Sequence, residues 1–352
     1  MSKRNHEVVN KQALLNGEGS IGECGWSRRP VQSYTRADIK APKFRIKEWD
    51  YYLIMGQGFG VAMTVSDDGY IGLQSVSLLN FKENKEHTET VLNLFPMGKL
   101  KLPVSSDEGD TVFTDKRLSL KFHVEKGADE NRTRILDCHF GKFDGEKNFD
   151  CHIELAQPPM ESMLIATPWK NKKKAFYYNQ KINLMRASGY AKCGEETYEF
   201  HPETDFGTLD WGRGVWTYNN VWYWGNGNCD INGHSFGFNI GYGFGDTTAA
   251  TENLIFYDGK VHKLDDITCL IPVKDNGEEE FMSPWKITCS DGRFEMDFVP
   301  ALDRAARINA CIIESDQHQV FGKMSGKAVL DDGTVLEIND CMCFVEKVHN
   351  RY

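Results

Sequence analysis

The sequence predicts an all-β protein with few short helices, made of two similar halves. Two observations carry this expectation: short runs in which apolar and polar residues alternate, and motifs that recur in one order along the chain. The clearest alternation is Leu118–Val124, where the apolar residues are separated by Ser, Lys and His. A period of two places the apolar side chains on one face of a strand. Helical periodicity is scarce.

Further strands are predicted on both sides of this run. Asp50–Met55 and Val61–Val65 are apolar and short, and Asp67–Gly69 is a hairpin turn signal. Cys151–Leu155 alternates in the same way as Leu118–Val124. Phe236–Phe244 sets aromatic residues and Ile on one face and glycine and asparagine on the other. The small face leaves room for a cavity or another backbone.

Three motifs of the first half recur in the second half, with slowly growing offsets. Trp49–Tyr52 resembles Trp222–Trp224, Asp115–Phe122 parallels Asp291–Phe298, and Phe140–Gly145 parallels Phe321–Gly326. Such self-similarity predicts two copies of one β-domain. We place the first at residues 1–185, with an N-terminal arm, and the second at residues 186–352, carrying the candidate site.

Composition excludes several classes of protein. A length of 352 residues suits two domains, and 41 Lys plus Arg against 51 Asp plus Glu give a net charge of −10. That balance disfavours nucleic-acid partners. The start of the chain has no apolar signal region and no run has transmembrane length, so we expect a cytoplasmic protein. None of the ten cysteines forms a Cys-x-x-Cys pair, so no metal site is expected.

The stretch Asp210–Gly227 is the candidate ligand site. It holds four of the eight tryptophans, two tyrosines and four glycines beside one aspartate and one arginine. Ring faces attract apolar skeletons, sugar C–H faces and positive charge. The predicted substrate-binding residues are Trp211, Arg213, Trp216, Tyr218, Trp222, Trp224 and, further on, Tyr242. The alternative is that these rings pack in the interface between the two domains.

Three residues are candidates for proton transfer. An aromatic pocket would help Asp210 to hold and deliver a proton, but a buried ion pair with Arg213 is the alternative. Glu252 precedes an apolar strand, where it is either an acid at a cavity mouth or a rim carboxylate. His318 is either a proton shuttle or a histidine satisfied by the backbone.

Several long motifs together resemble the family known as domain of unknown function 2804 (DUF2804). They are Gly22–Pro30, Asp210–Gly227, Ile240–Asp246, Thr251–Leu264 and His318–Gly326. The resemblance spans nearly the whole chain. That family is similar in architecture to the carotenoid 1,2-hydratase and AttH-like proteins, so the resemblance implies two tandem lipocalin-like antiparallel β-barrels. It also implies chemistry of the kind found in hydratases and cyclases that protonate a carbon–carbon double bond without a metal or organic cofactor.

Two functional hypotheses follow. The first is a cofactor-independent acid/base lyase, hydratase or isomerase that acts on the C=C bond of a small unsaturated ligand, which is terpenoid-, lipid- or unsaturated-sugar-like. The second is a non-catalytic, lipocalin-like binding protein for a lipid or glycan. In both, the partner is an apolar or sugar-like small molecule, and no cofactor is expected.

Overall fold

The computed structural model describes residues 4–310 and 313–351, which form β-strands and two 3₁₀ helices, Arg36–Asp38 and Lys43–Arg45. The first fifteen strands are β1 (Gln12–Ala13), β2 (Gly25–Ser27), β3 (Gln32–Ser33), β4 (Ile46–Gly56), β5 (Phe59–Asp67), β6 (Ile71–Asn80), β7 (Lys85–Leu94), β8 (Asp110–Thr114), β9 (Leu118–Lys126), β10 (Arg132–Asp144), β11 (Lys147–Gln157), β12 (Met163–Trp169), β13 (Lys172–Cys193), β14 (Glu196–Phe200) and β15 (Phe206–Val215). The remaining strands are β16 (Asn219–Ile231), β17 (His234–Tyr242), β18 (Leu254–Tyr257), β19 (Lys260–Lys263), β20 (Ile267–Leu270), β21 (Trp285–Cys289), β22 (Phe294–Ala310), β23 (Ile313–Val329) and β24 (Val335–Arg351).

The larger sheet comes from the first part of the chain. Its main path runs β7-β6-β5-β4-β15-β13-β11-β10-β9-β8. Strands β12 and β14 each pair with β13, and β2 pairs with β12. The pairings within it are antiparallel. The N-terminal arm joins this sheet through β2, and β1 and β3 form a small parallel pair. Within the described residues, no helix is long and apolar enough to cross a membrane.

The second sheet runs β19-β18-β17-β16-β24-β23-β22-β21-β20 and is also antiparallel. Both sheets are curled, so the predicted all-β fold with two tandem lipocalin-like barrels is confirmed. The chain changes sheet between β15 and β16. Residues 186–215, which the sequence assigned to the second domain, therefore pair within the larger sheet. The reason is that β15 pairs along its whole length with β4, from Phe206 opposite Met55 to Val215 opposite Ile46.

Each sheet has its own apolar core, and two further clusters join the two sheets. Alternate residues of β4 show the division: Tyr52 lies in the core of the larger sheet, whereas Tyr51 belongs to a cluster that includes Trp224 and Phe344 of the second sheet. The Tyr51 and Trp224 rings meet edge to face across the two sheets, with centroids 5.9 Å apart. The outward faces of the two sheets are therefore packed against each other.

Strand β15 is buried along its entire length because both of its faces are covered. Leu209 and Trp211 point into the core of the larger sheet. Asp210 and Gly212 lie on the opposite face, toward the second sheet. A Cβ added at Gly212 would lie 1.9 Å from the Trp49 indole, so only glycine leaves room for this ring. Gly212 thus makes space for a protein side chain.

We expect Gly212→Ala to lower the free energy of unfolding by about 1–3 kcal/mol, because the new methyl group must displace the Trp49 indole. Gly141→Ala, also within a strand, is the control, since its added Cβ would be 3.6 Å from the nearest atom, in ordinary contact. Urea denaturation of both variants measures the difference. Equal stability of Gly212→Ala and the parent protein would contradict the tight packing of Trp49 on β15.

Candidate functional site

A cavity of about 260 Å³ lies between the two sheets. This volume is close to the lower end of small-molecule pockets, which is about 300 Å³. The side chains that line it combine aromatic rings, four acids (Asp68, Asp210, Glu252 and Glu346) and two cations. They include Trp49, Tyr51, Tyr177, Lys181, Asp210, Trp216, Trp222, Trp224, Phe244, Glu252, Arg304, Gln319 and Glu346. The predicted ligand stretch therefore reaches a cavity, but the cavity needs both sheets to form.

The wall from the larger sheet is one row of side chains across five neighbouring strands. Lys181 of β13 is opposite Asp210 of β15, which is opposite Tyr51 of β4. Thr64 of β5 and Ser75 of β6 continue the row. Residues directly opposite each other in paired strands share a face. Register alone thus brings these five side chains to the cavity.

The facing wall is a second row of the same kind. Trp224 of β16 is opposite Glu346 of β24, which is opposite Gln319 of β23 and then Arg304 of β22. The row contains an aromatic ring, an acid, an amide and a guanidinium in order. Each is set on a long strand that is held in place by neighbours on both sides.

Aromatic rings that pack around Phe244 line part of the cavity. The Trp216 ring lies 4.8 Å and the Trp222 ring 5.3 Å from it, centroid to centroid, and Tyr177 lies at 4.9 Å. Trp49 stands 5.2 Å from Trp216. These rings pack between the sheets and also line the cavity, so the two interpretations of the tryptophans are compatible.

Asp210 forms a buried ion pair with Lys181. The Lys181 Nζ atom lies 2.7 Å from Asp210 Oδ2, and Asn179 Nδ2 donates to Asp210 Oδ1 at 2.5 Å. The Lys181 ammonium also lies 3.8 Å from the centre of the Trp224 ring, which belongs to the other sheet. Only 2% of the Lys181 side chain is exposed. A charge of this kind is costly to bury alone, so each partner depends on the other.

Glu346 is a buried acid that holds its proton near neutral pH. Burial raises the pKa of its carboxyl to about 7, against the opposing effects of the Trp222 hydrogen bond and the Arg304 charge. Trp222 Nε1 donates to Oε1 at 3.0 Å and Gln319 Nε2 donates to Oε2 at 3.1 Å. The carboxyl is therefore held in one orientation at the cavity wall.

Glu252 is a second acid in the same wall. Burial raises the pKa of Glu252, the charge of Lys181 opposes this shift, and that of Asp210 adds to it. Asn239 Nδ2 donates to the Glu252 backbone oxygen at 2.9 Å and lies 3.4 Å from Oε2. Trp224 Nε1 in turn donates to Asn239 Oδ1 at 2.7 Å. This network ties Glu252 to the interface between the sheets.

Trp211 and Arg213 lie on the opposite face of β15 from the cavity. Residues that differ by an odd number in a strand point to opposite faces, so Arg213 cannot share a face with Asp210. Arg213 is fully buried, donates to Asp50 Oδ1 at 3.0 Å and lies 4.1 Å over the Trp211 ring. The expected alternative, an ion pair of Asp210 with Arg213, is therefore wrong. Asp210 pairs with Lys181, and Arg213 pairs with Asp50. Arg213 stabilises the larger sheet from within.

Three other predicted residues lie away from the cavity. His318 Nδ1 is 2.7 Å from Asp303 Oδ2, on the face of β23 opposite Gln319. Tyr242 stacks on Tyr223 with ring centroids 4.4 Å apart. Tyr218 is 43% exposed. The structure therefore brings Asp210, Glu252 and the indoles of residues 216, 222 and 224 together, without these three.

Several cavity residues were not predicted from the sequence, above all Lys181, Glu346 and Arg304. A signal for Glu346 exists in β24, where it follows Met342 and Phe344 at a spacing of two, on a face that is otherwise apolar near it. A lone acid in such a row indicates a buried functional or paired carboxyl. Lys181 lies within an equally buried stretch of β13.

The fold and the cavity define a class: an all-β protein of two lipocalin-like barrels with an aromatic, acid-lined cavity where their sheets meet. The chain belongs to the DUF2804 family, described as a domain of unknown function, which matches residues 5–352. The membership expected from the motifs is thus confirmed. No curated protein matches the chain.

Two solved structures are similar in architecture. A protein assigned as an AttH from Nitrosomonas europaea has a TM-score of 0.52 and 12% identity, over 92% of this chain and 98% of that one. Kievitone hydratase from Nectria haematococca has a TM-score of 0.48 and 11% identity, over 97% and 98% of the two chains. At such identities the likeness to the AttH protein shows the fold alone.

Glu346 makes the stability of the protein depend on pH. Because its folded pKa of about 7 exceeds its ordinary value of 4.5, the stabilisation from proton binding is complete below about pH 4.5 and is lost as pH rises through 7. In Glu346→Gln this contribution disappears. The variant should therefore gain about 3 kcal/mol relative to the parent protein between pH 4.5 and 8.

Chemical denaturation at several pH values measures this gain. The control is Glu199→Gln in β14, which removes a glutamate carboxyl from a solvent-exposed position. A stability difference between Glu346→Gln and the parent protein that stays constant with pH would contradict the assignment.

Proposed function

We propose that the protein is an acid/base hydratase, lyase or isomerase that acts on the C=C bond of a small unsaturated ligand in the cavity between the sheets. The observation that carries the proposal is Glu346, a carboxyl with a pKa of about 7 held at the wall of an aromatic cavity. A general acid is most effective when its pKa lies near the working pH. Glu346 meets this requirement, and hydrogen bonds from Trp222 and Gln319 hold its carboxyl in one orientation.

In the proposed reaction, Glu346 gives its proton to one alkene carbon. The π electron pair forms the new C–H bond, and positive charge develops on the neighbouring carbon. The ring faces of Trp216 and Trp222 are placed to stabilise that charge. Water then adds to the cation, or a proton leaves from an adjacent carbon, giving hydration or isomerisation respectively.

Asp210 is the matching base in this proposal. It lies in the facing wall, with one oxygen beside Lys181 and the other beside Asn179. Asp210 takes the proton that the attacking water loses in hydration, or that the adjacent carbon loses in isomerisation. Exchange with solvent then removes this proton from Asp210 and returns a proton to Glu346. Glu252, a second buried acid whose pKa is raised, is the alternative donor in the same cavity. The acid and the base thus come from different sheets.

Deuterium transfer to carbon tests this function directly. The protein is incubated in D₂O with a panel of terpenoid alkenes, unsaturated fatty acids and unsaturated sugars, and each compound is analysed by mass spectrometry. We expect carbon-bound deuterium in at least one compound class. In Glu346→Gln the rate should fall about 100-fold or more, since general acids contribute 10²–10⁴.

Affinity separates catalysis from binding. Glu346→Gln and Glu252→Gln keep the shape of the cavity and the Lys181–Asp210 ion pair, so ligand affinity should change little, whereas Trp216→Ala should weaken it. Exposed Glu199→Gln is the control for both measurements. A ligand that binds with no deuterium transfer in the parent protein would favour the lipid- or glycan-binding alternative and refute the enzyme.

A further inference from the structure

We propose that the ligand of this cavity carries an anionic head group, of the carboxylate type, which is held between Arg304 and Tyr51. The inference rests on the proposed function for the position of the reacting double bond, and it names the class of substrate. Three features of the cavity carry it: the donors of Arg304, the hydroxyl of Tyr51, and the spacing of the row that contains Glu346.

Arg304 reaches across the interface and holds donors for a ligand. Its Nη1 atom donates to Ser77 Oγ of the larger sheet at 2.8 Å, which fixes the guanidinium at the cavity. Within the described ranges, no carboxylate oxygen lies within 4.0 Å of its nitrogen atoms. A guanidinium has five N–H donors in a planar fork that matches a carboxylate. Arg304 is therefore a cation oriented by a neutral partner.

Lys181, the other cation of the cavity, is already paired. Its ammonium is 2.7 Å from Asp210 and lies against the Trp224 ring. An incoming anion would have to compete with a buried ion pair to bind there, which is costly. Arg304 is thus the cation that suits an anionic head group.

Tyr51 provides a second donor on the facing wall. Its hydroxyl is buried, the residue is 8% exposed, and no described residue forms a hydrogen bond of ordinary geometry with it, although Gln319 lies close by. Burial raises the pKa of Tyr51 to about 12 against the opposing charge of Arg304, so the hydroxyl keeps its proton and can donate. A buried donor of this kind gains a partner when an acceptor binds.

The order of the second wall gives the ligand its dimensions. Trp224, Glu346, Gln319 and Arg304 lie on four adjacent strands. Adjacent strands are about 4.8 Å apart, so the backbone at Arg304 is about 10 Å from that at Glu346, and the backbone at Trp224 is about 5 Å away on the other side. A ligand that spans this row has an anionic head, a double bond within about 10 Å of it, and an apolar end among the indoles.

Matched acids and alcohols test the head-group requirement by binding alone. The pairs are geranic acid with geraniol, cinnamic acid with cinnamyl alcohol, and sorbic acid with sorbyl alcohol, measured at pH 7 by calorimetry or tryptophan fluorescence. We expect at least one acid to bind about 10- to 100-fold more tightly than its alcohol, the range given by a hydrogen bond to a charged group. If no acid binds more tightly than its alcohol, the anionic subsite is refuted.

Variants assign the preference to Arg304. Arg304→Gln should bring the acid-to-alcohol affinity ratio close to one, whereas Arg307→Gln, at an exposed arginine of the same strand, should leave it unchanged. A ratio that survives Arg304→Gln in a variant that melts like the parent protein would overturn the assignment. These outcomes are independent of turnover. Deuterium transfer without a preference for acids would refute the anionic subsite alone. A preference for acids without deuterium transfer would refute the enzymatic function alone.

Discussion

The buried ion pair of Lys181 with Asp210 is the interaction on which the cavity depends. It lies on the outward face of the larger sheet, in contact with the Trp224 ring of the second sheet, where an ordinary interface would be apolar. Two sheets packed on apolar residues alone would close completely. The buried Lys181–Asp210 pair and the polar side chains beside it instead need room and further hydrogen-bond partners. The cavity between the sheets satisfies that requirement.

Because the walls come from different sheets, function and the joining of the two sheets are linked. Asp210 and Tyr51 belong to the larger sheet, whereas Glu346 and Arg304 belong to the second. The Trp222 ring both donates to Glu346 and packs on Phe244. A change that separates the sheets moves Glu346 away from Asp210. The apolar cores of the two sheets hold the strands in place, and their residues do not line the cavity.

The sequence predicted the features of the fold and the site that depend on residues close together in the chain. Period-two alternation and turn signals gave the all-β class, and the density of rings and acids marked Asp210, Trp216 and Trp222. Pairing between distant strands is not local, so the sequence did not show that β15 pairs with β4, or that Lys181 faces Asp210. Arg213 illustrates a rule that was available: three residues along a strand from Asp210, it must face the other way.

The infrared carbonyl band of Glu346 tests most directly whether its carboxyl titrates near pH 7. Difference spectra of the ligand-free protein between pH 5.5 and 8.5 should show a band of protonated carboxylic acid that titrates near pH 7. The band should be absent from Glu346→Gln and present in Glu199→Gln. Identical spectra for Glu346→Gln and the parent protein across this range would contradict the account.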